Sequence, residues 1–181
     1  DIANAIREIK KETGKYPYKY ITIDNATRLE EMCMSFAIQL YKATPMGKKY
    51  EGTDLRTLPN GSGYLYIRQA VRKVIDMFRG LCDNFILIGH TKDKLINKNG
   101  EEMVEMSLDL VGALANIICG EADAVGYVYR KKNETHISFE GGDNSVIEAR
   151  APHLKGKNIV VAESDENNNI TAVSYTHLTL P

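Results

Sequence analysis

The sequence predicts an α/β fold, with a mainly parallel sheet, helices on both faces, and antiparallel strands toward the C-terminus. Three observations carry that expectation. Two short apolar runs, residues 18–24 and 85–89, are separated by helical periodicity, as in strands joined by a helical crossover. The second run, Phe85-Ile86-Leu87-Ile88-Gly89, is apolar throughout, like strands buried on both faces of a parallel sheet. After residue 120 the apolar spacing shortens to that of strands and turns.

Taken in order, Ile2, Ala5, Ile6 and Ile9 recur at helical spacing, and Gly14 and Pro17 stop that helix. The pattern is already running at Asp1, so a helix entered part-way, with sequence upstream, is expected. Residues 18–24 are β-branched and aromatic, a buried strand. Asn25 or Thr27 can cap the next helix, and Thr27-Arg28-Leu29-Glu30 fits a capping box. Leu29, Met32, Cys33, Phe36, Ala37, Leu40 and Tyr41 then mark one face of a long helix, on which Glu30 and Glu31 are expected to face solvent. Residues 45–63 form a Gly/Pro/Lys-rich loop, of a length that in compact domains goes with function or mobility. A second amphipathic helix follows over 64–81, with Ile67, Ala70, Val71, Val74, Ile75 and Phe78 inward.

Residues 92–109 are charged and turn-rich around Asn99-Gly100, a hairpin or mobile loop, and 110–119 a short helix. Strands are expected at 124–130, 136–140 and 159–162, with a weaker one at 146–149. The polar run 163–169 reads as an exit from the domain. Residues 173–181 back-translate without strain to GTC TCT TAT ACA CAT CTG ACG CTG CCG, which resembles a transposon-based sequencing-library adapter. They are set aside as an artefact of an assembled environmental sequence, against the alternative of a short terminal strand. The expected organisation is one core over 1–165, a polar tail over 166–172, and the artefact over 173–181.

Composition limits the function. The chain's 181 residues, 43% hydrophobic, suffice for one domain with a core. With 23 Lys and Arg against 24 Asp and Glu, a strongly basic nucleic-acid module is excluded, though a local basic groove is not. No apolar run approaches the roughly 18 residues of a membrane helix, and no secretory signal is visible, so a cytoplasmic protein without membrane contact is expected. Cys33, Cys82 and Cys119 form no CxxC pair and read as buried thiols of a reducing compartment.

The sharpest motif is Ile21-Thr22-Ile23-Asp24-Asn25. A carboxylate ending an apolar strand is delivered to the carboxyl edge of a parallel sheet, where α/β folds place ligands. In a P-loop nucleotidase that Asp holds, through water, the magnesium bridging the phosphates; otherwise it is simply a helix cap. The second run ends likewise in Gly89-His90-Thr91-Lys92, so His90 could meet a γ-phosphate or attacking water, unless it is a capping or core histidine. Lys92 and Lys94 fit either the same pocket or a solvated loop. A phosphate cradle needs GxxxxGK[ST]. Gly14-Lys15, Gly47-Lys48 and Gly156-Lys157 all lack the following Ser or Thr, so the cradle is expected upstream of Asp1.

This order of motifs resembles the RecA-like AAA-type nucleotide-binding proteins of phages. It runs from Ile-Thr-Ile-Asp24-Asn through Gly-Ser-Gly-Tyr64 and Leu-Ile-Gly-His90-Thr-Lys92 to Gly120-Glu-Ala-Asp123-Ala-Val-Gly126 and Ala149-Arg150-Ala-Pro-His-Leu154. The resemblance implies a RecA-like P-loop NTPase that uses ATP and Mg2+, with hydrolysis linked to DNA recombination or single-strand annealing, in the cytoplasm of a bacterial host. It implies single-stranded DNA and further copies of the chain, in a ring or filament, as partners. Asp24 maps to the magnesium carboxylate, Asn25, Thr91 and Lys92 to the nucleotide edge, and His90 to the polar residue ending the next core strand. Arg150, with Lys155, maps to a basic position able to reach a neighbouring subunit's phosphates; Arg150 could equally pair with Asp143 or Glu148. The basic stretch 42–56, with Lys42, Lys48, Lys49, Arg56 and a Tyr50 able to stack a base, and the 92–105 loop are the segments that could touch DNA. Two further functions stay open: a non-hydrolysing annealing or scaffold protein that uses nucleotide only to assemble, and a small-molecule kinase.

Overall fold

The computed structural model describes residues 2–13, 17–98, 101–142 and 145–173. Gly14, Lys15, Asn99, Gly100, Asp143 and residues 174–181 lie outside the described residues. Where the sequence predicts one core over 1–165, the chain packs as two compact units, Asp1–Thr91 with Asp109–Leu114, and Lys92–Leu108 with Ala115–Pro181.

The first unit is α/β. Helix α1 (Ile2–Thr13) precedes strand β1 (Tyr18–Asp24), which leads through α2 (Ala26–Met32), α3 (Met34–Lys42) and α4 (Tyr64–Arg79) to β2 (Cys82–Ile88). Strands β1 and β2 pair in parallel, Tyr18 opposite Cys82 and Asp24 opposite Ile88. The long helix expected after Asp24 is divided at Cys33, which keeps a right-handed backbone (φ -77, ψ -8). Its buried stripe is narrower than the sequence pattern, with Leu29, Cys33, Ala37 and Tyr41 buried and Met32 exposed. On α4 the expected core face is buried from Ile67 to Ile75. Helix α2 packs on β1, and α4 packs on β2, α3 and α1.

The α/β class holds, and of the expected mainly parallel sheet the described residues show one parallel pair of strands; the other strand pairings with an assigned register are antiparallel, beside one isolated parallel bridge between Met106 and Ser145. One expectation is corrected: β1 and β2 are not buried on both faces between helices. Thr22 and Asp24 of β1 and Ile86 and Ile88 of β2 are exposed, the last two by 46% and 45%, while Ile21, Ile23, Phe85 and Leu87 are half-buried. In a strand successive side chains point to opposite faces, so this alternation marks a sheet with helical cover on one face.

The long loop over 45–63 is packed down. Leu55, in a 3-10 turn over Leu55–Thr57, is completely buried. Gly47 and Gly63 make that approach possible: a Cβ on Gly47 would lie 2.0 Å from the Tyr41 carbonyl oxygen, and one on Gly63 1.9 Å from that of Leu55. Asp54 caps the turn by accepting from the Arg56 N–H, and the Arg56 guanidinium beside it holds its carboxyl below the usual carboxylate range.

In the second unit β3 (Thr91–Lys98) and β4 (Glu101–Leu108) form a two-stranded sheet, in keeping with the hairpin alternative of the sequence. After α5 (Leu114–Glu121), the expected strand over 124–130 divides at Gly126. Its first part, β5 (Ala124–Val125), pairs with β8 (Glu148–Ala149). Its second part, β6 (Tyr127–Lys131), joins β7 (Glu134–Ser138), β9 (Asn158–Ser164) and β10 (Ile170–Ala172) in one antiparallel sheet of order β10-β9-β7-β6. The polar run read as an exit is the turn between β9 and β10. Asp165 accepts backbone N–H bonds from Asn167 and Asn169, at 2.9 and 2.8 Å, and Asn169 Nδ2 also donates to it. The segment 166–172 is therefore partly sheet.

Cys33 and Cys82 are buried, Cys119 is half-buried, and all three are free thiols. Burial, with the Glu30 charge adding to it, pushes the Cys33 thiol up to about 11, so it stays protonated and is a poor nucleophile or metal ligand. No helix of the described residues is long and apolar enough to cross a membrane.

Candidate functional site

The parallel register of β1 and β2 brings two strand ends to one edge. Asp24, the last residue of β1, is exposed and stands level with Ile88, two residues before His90. The Asp24–Asn25 peptide is cis. Asn25 joins the two ends. Its Oδ1 accepts the Arg28 N–H at 2.9 Å and caps α2, and its Nδ2 lies 3.2 Å from His90 Nε2. With Oδ1 occupied by a donor, the amide can only donate to the ring, so Nε2 is the acceptor and the neutral His90 carries its proton on Nδ1. The expected Thr27–Glu30 capping box does not form, because both side chains are used elsewhere.

Those two side chains fix the segment that returns to this edge. Thr27 Oγ1 donates to the Asp109 carbonyl at 2.8 Å, and the Glu30 carboxylate accepts the Val111 N–H at 2.8 Å. Asp109 N–H in turn donates to the His90 carbonyl at 2.8 Å. Glu30 is therefore buried, at 4% exposure, which corrects the expectation that it faces solvent. Glu31 is exposed and pairs with Arg28 at 2.5 Å. Sequence reasoning missed Glu30. The one local hint is its place beside Leu29 on the rim of the buried stripe.

Thr91 is exposed at the start of β3, and Lys92, half-buried, begins the second unit. Arg150 is exposed, its guanidinium donates to the Gly120 carbonyl, and its backbone N–H bonds the Asp123 carbonyl at 2.9 Å. It thus ties the end of β8 to the C-terminus of α5 within its own unit; Glu148 does not take its guanidinium, and Asp143 lies outside the described residues. The structure brings together Asp24, Asn25 and His90, flanked by Thr91, and Lys92 and Arg150 belong to the other unit.

Among the described residues no group of three or more His, Cys, Asp or Glu side chains could hold a metal ion. The donor set at the edge is one exposed carboxylate with an amide and an imidazole beside it. That set fits Mg2+, which keeps several waters and takes one or two carboxylates with substrate phosphates. It does not fit a metal held by protein ligands alone.

An exposed carboxylate and a histidine stand at the carboxyl ends of adjacent parallel strands, the edge at which open α/β sheets place their ligands. The chain belongs to the AAA domain family, whose model matches residues 1–170. It is thus of the P-loop NTPase class, for which binding of a nucleotide, typically with Mg2+, is the family's property. Neither the curated proteins nor the solved structures include a match.

Replacing Asn25 separates its two tasks. Asn25→Ala should lower unfolding stability by about 1 kcal/mol through loss of the α2 cap, measured by urea denaturation. Asn25→Asp retains the cap acceptor and should stay near wild type in stability, while losing the donor to His90.

Proposed function

We propose that the Asp24–Asn25–His90 edge is the magnesium side of an ATP pocket in a RecA-like ATPase of phage or prophage origin, serving DNA recombination or single-strand annealing. The observation that supports it most is the in-register parallel pairing of β1 and β2, which sets Asp24 beside the strand that leads to His90. Family membership supports the nucleotide, and the order of motifs supports the RecA-like and DNA-processing parts. In this reading Asp24 accepts hydrogen bonds from water on the magnesium ion. Asn25 holds the His90 ring through Nε2 and leaves Nδ1–H as a donor toward phosphate oxygen or water. Thr91 and Lys92 extend the same edge, Arg150 serves a neighbouring copy in a ring or filament, and the protein works in the bacterial cytoplasm. Bound Mg-ATP supplies a transferable phosphoryl group whose charge the metal neutralises.

Residues 1–181 contain no GxxxxGK[ST] motif, so the 181-residue chain should bind a fluorescent ATP analogue more weakly than micromolar. That binding should depend on Mg2+, and Asp24→Ala should abolish the dependence. Micromolar binding indifferent to both Mg2+ and Asp24→Ala overturns the reading.

One observation favours a second reading, in which nucleotide drives assembly without hydrolysis. Neither acidic residue after Asp24 is available as a general base, since Glu30 is engaged by Val111 and Glu31 by Arg28. Nucleotide-dependent assembly and annealing without measurable phosphate release would select it.

A further inference from the structure

The basic stretch 42–56 has a different aromatic partner from the one its sequence suggests. Tyr50 is already engaged: its ring packs edge-on to Tyr41 at 5.4 Å, and its hydroxyl donates to the Asp54 carbonyl at 2.7 Å. Tyr41 also packs against Tyr66, at 5.0 Å. Tyr41 and Tyr66, but not Tyr50, line an open cavity of about 430 Å3, together with Met46, Tyr64, Leu65, Arg68 and Gly112. That volume lies within the range of small-ligand pockets, about 300–1,000 Å3.

Glycine keeps the cavity open around Tyr64. Gly61 and Gly112 both have positive φ, at 66° and 54°. A Cβ at Gly61 would sit 3.1 Å from the Tyr64 ring and crowd it, while one at Gly112 would lie 4.0 Å away, in ordinary contact. Tyr64 is 36% exposed and Met46 83%. Arg68, one helical turn beyond Tyr64 on α4, also lines the cavity and has no ion pair among the described residues.

The surrounding charge is one-sided. Residues 42–79 contain eight Lys and Arg against Glu51, Asp54 and Asp76, a local charge of +5 in a chain of net charge -1. Lys48 and Lys49, two and three residues past Met46, are exposed. An accessible aromatic ring, a cation one turn away and a cationic border are what an unpaired base on an anionic strand requires: stacking for the base, neutralisation for the phosphates. An apolar peptide would use the rings and leave the charge unanswered.

We infer that this cavity over the first turns of α4 takes an unpaired base of a single-stranded nucleic acid, stacked on Tyr64, with Arg68, Lys48 and Lys49 meeting the flanking phosphates. The inference deepens the DNA-processing reading and rests on it for the class of partner, but it involves a site separate from the Asp24 edge.

The test is fluorescence anisotropy of the 181-residue chain with labelled single-stranded oligothymidylate, in the absence of nucleotide. Parallel arms use oligouridylate and competition by thymidine monophosphate, which separate DNA, RNA and a free nucleotide as the source of the base. Tyr64→Ala should weaken binding at least about fivefold, the low end for loss of one base–aromatic stack, while Tyr64→Phe should bind like wild type. The Lys48→Gln/Lys49→Gln double variant should flatten the salt dependence. Ultraviolet cross-linking of a bromouridine strand to wild type should mark residues 46–68. Equal affinity of Tyr64→Ala and wild type, or cross-links confined to other segments, overturns the pocket and leaves the DNA reading standing. No strand binding by wild type overturns both, while the Asp24 edge is judged separately by nucleotide binding.

Discussion

Leu55→Ala is expected to lower the unfolding free energy by about 2–5 kcal/mol, as fully buried leucines do when truncated. Leu55 has no solvent exposure and anchors the 45–63 loop, whose 3-10 turn packs against α3 and α4. The Gly63 backbone at the start of α4 lies against the Leu55 carbonyl, so the hole left by alanine cannot close by simple collapse. Equilibrium urea unfolding measures the loss, and Met46→Ala, in the same loop but exposed, is the control that should stay within about 0.5 kcal/mol of wild type. A loss for Leu55→Ala no larger than that of the control would mean that the loop is not packed as described.

Glu30→Ala should cost about 1–3 kcal/mol, the penalty for leaving a donor at a part-buried position without its partner. The donor is the Val111 N–H, 81 positions away along the chain. Glu30→Gln keeps an acceptor of the same shape and should recover most of the loss. Amide exchange at Val111 should accelerate in Glu30→Ala well before the α4 amides respond. If Glu30→Ala and Glu30→Gln destabilise equally, the carboxylate is acting through its charge and not through this bond.

These two residues show what the sequence leaves legible. The strand ends could be read because each chemical residue directly follows an apolar run: Asp24 after Ile21, Thr22 and Ile23, and His90 after residues 85–89. Their pairing in parallel follows from the helices between them. The bond from Val111 N–H to Glu30 could not be read locally, since that donor lies 81 positions away, beyond β3 and β4. The 45–63 loop carries the composition of a mobile segment, yet Gly47 and Gly63 serve close backbone approach, and Leu55 and Tyr50 are its anchors. Polarity misled in the same way at 163–169, where Asp165 spends its side chain on backbone N–H groups to make a hairpin turn. The one-sided cover of β1 and β2 was hidden by the unbroken apolarity of Phe85-Ile86-Leu87-Ile88, which looks alike whether one face is covered or two.

The bond from Asp109 N–H to the His90 carbonyl closes the chain behind β3 and β4, and Thr27 and Glu30 hold the same crossing point from α2. Whatever lies between residues 90 and 109 is therefore spliced into the chain at a locked junction. Doubling the length of such an excursion adds only about 0.6 kcal/mol of closure entropy. Residues inserted at the tip between β3 and β4 should therefore leave the geometry of Asp24, Asn25 and His90 as it is.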